Sequence, residues 1–96
     1  MNEIRRTSEF GSWLRSLDAR SRAKILTRID RARRDNFGDV KPVGGGISEM
    51  RIPRGPGLRV YFVKRENRVY VLLCGGDKST QVKDIKRAKA MAEDLE

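Results

Sequence analysis

Ninety-six residues carrying 22 basic and 13 acidic side chains, for a formal charge of +9, fit one small domain with a single core and a surface that favours polyanions. The chain has no histidine and one cysteine, Cys74; this excludes an intrachain disulfide and the usual zinc ligand sets, so neither a metal nor a cofactor is expected. Nothing approaches the ~20 apolar residues of a membrane helix, and Glu3, Arg5 and Arg6 interrupt any signal-like run, so a cytoplasmic protein is expected.

In chain order, Asn2 to Arg6 reads as a short edge strand. Thr7 or Ser8 then offers an N-cap, with Glu9 suiting the positive end of the helix dipole. Phe10, Trp13, Leu14 and Leu17 recur at helical spacing. Asp18 both ends this helix and caps a second, from about Ala19 to Arg34, whose apolar positions are Ala23, Leu26, Ile29 and Ala32 with Ile25 beside them. The two should form a hairpin. Gly44-Gly45-Gly46 reads as a flexible loop leading to a sheet; no lysine-plus-hydroxyl pair opening a helix follows it, so it is no P-loop.

From Ile47 the period changes to two. Ser48, Met50 and Ile52 share one face of a strand, and Glu49 and Arg51 the other. In Leu58–Lys64 the apolar set is Leu58, Val60 and Phe62, leaving Arg59 and Tyr61 opposite. Val69 to Cys74 is almost continuously apolar, as in an interior strand, with Cys74 a core residue. Pro53–Gly57 and Lys64–Arg68 read as turns. Gly75-Gly76 reads as a break that turns the chain toward a last helix, about Gln81 to Leu95, either as a turn alone or with its amides offered to phosphate. The fold class is therefore α+β: an N-terminal helical hairpin packed on a small, mainly antiparallel sheet, then a C-terminal helix, in a single domain spanning residues 1–96.

The charge is concentrated on the second helix and on the sheet with its loops. Arg28 and Arg31, with Arg20, Lys24 and Arg34, read either as a solvated helix face or as a surface that steers the protein toward RNA or an acidic partner. Arg51, Arg59 and Tyr61 share a strand face bordered by Lys78. The bland reading of that face is solvated, with an exposed cross-strand Glu49–Arg59 pair worth roughly 0.2–1 kcal/mol. The sharper one is a phosphodiester site beside a helix N-terminus.

Glu49-Met50-Arg51-Ile52, Gly57-Leu58-Arg59-Val60-Tyr61-Phe62, the run from Leu72 to Gln81, and Asp84-Ile85 with Ala88 together resemble the RelE/HigB toxin superfamily. The likeness is closest to its phage-related "addiction module killer protein" branch; Phe10, Trp13-Leu14 and Gly38-Asp39-Val40-Lys41 extend it over most of the chain. The resemblance implies the toxin of a type II toxin–antitoxin module. Such a toxin is held inactive by a cognate antitoxin protein and, once free, enters the ribosome and cuts mRNA. It implies that Arg51, Arg59 and Lys78 grip the scissile phosphate, that Tyr61 stacks on a base or orients the attacking 2′-hydroxyl, and that Gln81 and Lys41 contact RNA. Without histidine, the general base would be Tyr61 or a lysine of lowered pKa, or electrostatic strain would act alone. The competing readings are a ParE-like poison of DNA gyrase and a protein that only binds antitoxin or nucleic acid.

Overall fold

The computed structural model describes residues 1–95. Its elements are β1 (Glu3–Arg6), α1 (Ser8–Ser16), α2 (Ala19–Arg33), β2 (Val40–Gly44), β3 (Ile47–Ile52), β4 (Leu58–Glu66), β5 (Val69–Asp77), a 3-10 turn at Lys78–Thr80, and α3 (Gln81–Glu93). The strands form one sheet in the order β1-β5-β4-β3-β2. Every pairing is antiparallel except β1 with β5, which is parallel. This is the α+β arrangement the periodicities predict.

Caps place the first two helices. The Thr7 hydroxyl accepts from Phe10 N–H at 3.0 Å and donates to the Leu73 carbonyl at 2.6 Å, so one side chain starts α1 and fastens it to β5. The Asp18 carboxylate accepts from Ser21 N–H at 3.2 Å and starts α2. Each such cap is worth about 1 kcal/mol. Phe10, Leu14, Ile25, Ile29 and Ala32 then meet Met50, Ile52, Leu58, Val60, Phe62 and Leu72 on one face of the sheet. Buried side chains of this kind each contribute roughly 1.5–3 kcal/mol.

The opposite sheet face is covered too. α3 lays Ala88, Ile85, Met91 and Ala92 over Ile47, Tyr61, Val63, Val71, Leu73 and Cys74. The sheet is thus the middle of three layers, and the face carrying Glu49, Arg51, Arg59 and Tyr61 is a solvated one only beyond the start of α3.

Three local expectations are corrected. Val40–Gly44 is an edge strand paired with β3, and Gly45-Gly46, at φ 62° and 78°, form the tight hairpin turn rather than a flexible loop. β4 and β5 are longer than their apolar cores, running on to Glu66 and Asp77, so the turn between them shrinks to Asn67-Arg68. Gly75-Gly76 is not a break but lies inside β5.

Both of these glycines are there because helices come close. A methyl on Gly75 would lie 2.4 Å from the Trp13 ring of α1, and one on Gly76 would lie 1.8 Å from an Asp84 carboxylate oxygen of α3. They point to opposite faces by the ordinary alternation of a strand, and a bulge lies just before them. Tyr61 pairs with Cys74 whereas Phe62 pairs with Leu72, so Leu73 is the extra residue in β5. Leu73 and Cys74 both sit under α3 as a result.

Candidate phosphodiester site

Strand register builds the site. Arg51 of β3 lies directly opposite Arg59 of β4, which lies opposite Gly76 of β5. The next row inward is Lys41, Glu49, Tyr61 and Cys74. Like charges directly opposite one another repel, and here each arginine has its own carboxylate. Arg51 Nη2 donates to Asp39 Oδ1 at 2.8 Å, in a pair whose side chains are 37% and 57% exposed. Arg59 Nε faces Glu49 Oε2 at 3.4 Å, with exposures of 12% and 0%. The Glu49–Arg59 pair is therefore real, but it is buried rather than the exposed pair the strand pattern suggests.

Two loops frame the arginines. Arg28 reaches from α2 to donate to the Arg51 carbonyl at 2.7 Å and the Phe37 carbonyl at 2.9 Å, with Asp39 O at 3.4 Å. This brace holds the turn that carries Asp39. Gly38 is required there, since it has φ 71° and a Cβ would meet the Arg28 guanidinium at 2.9 Å. On the other side, Arg54 donates to Ser21 Oγ at 3.2 Å and Asp18 Oδ2 at 3.3 Å, pinning the Pro53–Gly57 loop to the start of α2. Between these loops lies a cleft of about 350 Å³ lined by Asp39, Arg51, Ile52, Pro53, Gly57 and Arg59. The Arg59 guanidinium and the Lys78 Cβ both lie close to Gly57; Lys78 lines a neighbouring groove at the start of α3 and has no ion-pair partner among the described residues.

The sequence-predicted residues thus separate into two groups. Arg51 and Arg59 line the cleft, and Lys78 stands beside it on a neighbouring groove. Tyr61 does not reach it: its ring is fully buried, and its hydroxyl donates to Glu49 Oε2 at 3.0 Å. Burial, reinforced by that carboxylate, raises its pKa well above the ordinary phenol value. This corrects Tyr61 as a stacking platform and as a base: the ring has no free face and the proton is held more tightly than usual. Gln81 is also occupied, its amide donating to Glu49 Oε2 at 2.8 Å, so it braces the start of α3 instead of awaiting phosphate. Arg28 is corrected from a steering cation to an internal brace. Arg31 and Lys41 are exposed and lie away from the cleft, Arg31 beside Lys24 on a separate groove of about 360 Å³.

Sequence reasoning missed Asp39 and the depth of Glu49. The signal for Glu49 was present: the last helix has an apolar face that needs a sheet to cover, and only the Glu49–Tyr61 face was left. Among the described residues no group of His, Cys, Asp and Glu is arranged to hold a metal, and no helix is long and apolar enough to cross a membrane.

Comparison with known proteins adds a family. The model described as "Phage derived protein Gp49-like (DUF891)" matches residues 12–95. An uncharacterised protein of Haemophilus influenzae is 51% identical over 94 residues, covering 97% of this chain and 95% of that one.

Proposed function

The chain belongs to the Gp49-like family of phage-derived proteins, and from that membership and the paired arginines we propose that it is the toxin of a type II toxin–antitoxin module, acting in the cytoplasm on mRNA held by the ribosome. The family is one associated with toxin–antitoxin and RelE-like proteins. The observation that carries the reading is that Arg51 and Arg59, opposite one another in register, line one cleft with Lys78 on the groove beside it.

The chemistry that suits such a cleft is transesterification. A ribose 2′-oxygen attacks the adjacent phosphorus, the 5′-oxygen of the next nucleotide leaves, and a 2′,3′-cyclic phosphate and a 5′-hydroxyl result. Negative charge grows on the phosphoryl oxygens, where guanidinium groups bind in a fork and an ammonium acts as a point charge. Arg51 and Arg59 supply the forks, and Lys78, from the groove beside the cleft, the point charge. With Tyr61 buried, the 2′-hydroxyl proton passes to solvent or to a ribosomal group, the departing 5′-oxygen takes up a proton from the same source, and the protein contributes alignment and charge.

The antitoxin is a second part of the proposal. The groove beside α2 has an apolar floor of Ala23, Ile52 and Pro53 under Lys24 and Arg31, and it shares Ile52 and Pro53 with the arginine cleft. An acidic amphipathic segment laid there blocks the cleft from its side.

Primer extension on mRNA from briefly induced cells tests the reading. New 5′ ends are expected with the wild type, and a loss of about 10²–10³-fold with Arg59→Ala. One observation favours a second reading: the cleft has no histidine, and its exposed carboxylate, Asp39, is paired with Arg51, which makes it a weaker base than usual. Growth arrest with unchanged mRNA ends and inhibited DNA supercoiling points to a gyrase poison. Unchanged ends without arrest leave a protein that binds but does not cut.

A further inference from the structure

Glu49 is the one charged side chain among the fully buried described residues. The fold itself does not call for it, since a buried ion pair is commonly matched or exceeded in stability by apolar side chains of similar volume. Its placement is directional. Oε2 gathers three groups from two elements: Tyr61 O–H at 3.0 Å, Gln81 Nε2 at 2.8 Å and Arg59 Nε at 3.4 Å. The last distance is that of an ion pair and not of a formed hydrogen bond; Glu49 Oε1 and Arg59 Nε both lack a hydrogen-bond partner among the described residues.

The two site arginines are held in opposite ways. Asp39 grips Arg51 by its outer nitrogen, Nη2, at the surface, where an incoming phosphate oxygen competes for the same edge. Glu49 faces Arg59 from behind, at Nε, beneath the sheet surface. Only Nη1 of its outer edge is engaged, by the Gly57 carbonyl at 3.3 Å. Arg59 is thereby aimed at the cleft with its outer edge available, while Arg51 begins in a contact that must be exchanged. Through Gln81 the same carboxylate also fixes the first residue of α3, three residues after Lys78.

We propose that Glu49 is a buried positioning residue that sets the direction of Arg59, and the placement of the Lys78 segment, toward a bound phosphodiester. The proposal rests on the phosphodiester reading of the cleft. Glu49 does not touch substrate; it acts through Arg59 and Gln81, and its hold on Arg59 tightens when an anion draws the guanidinium into line, as hydrogen bonds long in free sites commonly do on occupation.

The test is a double-mutant cycle read by binding. The probe is a short RNA that carries a 2′-deoxynucleotide at its central position, so it cannot be cut there. Glu49→Gln keeps the shape and the acceptor for Tyr61 and Gln81 but removes the charge behind Arg59. Affinity is expected to fall about tenfold in the wild-type background and not to fall further in the Arg59→Ala background. A merely structural contribution lowers affinity equally in both backgrounds, and that result overturns the proposal, as does a Glu49→Gln protein that binds as wild type. Arg59→Lys, as a second background, guards against loss of fold. Lysine keeps the charge but lacks both the phosphate fork and the Nε edge, so adding Glu49→Gln to it is expected to cost no further affinity, and a further drop of about tenfold overturns the proposal. A wild type that binds no RNA sinks the phosphodiester reading and this proposal with it; a wild type that binds, with independent losses, sinks this proposal alone.

Discussion

Single side chains divide the sheet end into a working edge and a supporting floor. Arg51 and Arg59 reach the cleft, while Tyr61, one position along β4 from the core residue Val60, lies under α3. Its hydroxyl is one of two hydrogen-bond donors that hold Glu49 Oε2. Tyr61→Phe is therefore expected to destabilise the fold by about 1–3 kcal/mol, because a buried acceptor loses a donor. Urea unfolding checks this, and the variant should still yield new mRNA ends in primer extension, since the ring takes no part in the chemistry. The thiol of Cys74, pushed up to about 12 by burial, is expected to resist maleimide at pH 8 in the native protein and to react once urea is added.

Among the elements, the helices, the short edge strand β1 and the inner strands were legible, and the edge strand β2 was not. Thr7, Asp18 and the apolar spacing of α1 and α2 fixed their starts almost to the residue, because caps and a 3.6-residue period are local properties. The faces of β3 and β4 followed from strict alternation. β2 escaped because Val40-Lys41-Pro42-Val43 has little apolar character and contains a proline, as an edge strand permits. Around the cleft, the Glu49–Arg59 pairing was legible from strand spacing; the partnership of Asp39 with Arg51 and the burial of Glu49 were not, since both are products of tertiary contact. Gly75-Gly76 shows the same limit. A sequence displays the glycines, but only α1 and α3 pressing on β5 explain them. Gly76→Ala forces a methyl into the Asp84 carboxylate, and a loss of about 1–3 kcal/mol is expected in thermal or urea unfolding.

At the scale of the molecule, fixed charges set how the protein responds to its medium. Three carboxyls titrate below their ordinary value of 3.8: exposed Asp18, held at about 2 by hydrogen bonds from Ser21; exposed Asp39, by the hydrogen bond from Arg51; and half-buried Asp77, by hydrogen bonds from Ser79. A carboxyl lowered on folding supplies stability that is complete above its unfolded value and is lost as pH falls through the folded one. The melting temperature is thus expected to be flat from neutral pH to about 5 and to drop below about 4. Raised salt should make the drop smaller, since these groups are at the surface. The grip of Asp39 on Arg51 has a further consequence. In the empty protein that guanidinium already has a counter-anion of its own, covalently part of the chain. A nucleic-acid phosphate that takes Arg51 performs an ion exchange: the freed carboxylate must gather a cation from solution while the RNA sheds one. Each ordinary phosphate contact steepens the logarithmic salt dependence of single-strand binding by about 0.7; the Arg51 contact should add almost nothing. Counting cations in the cleft will therefore overstate how strongly salt weakens the complex.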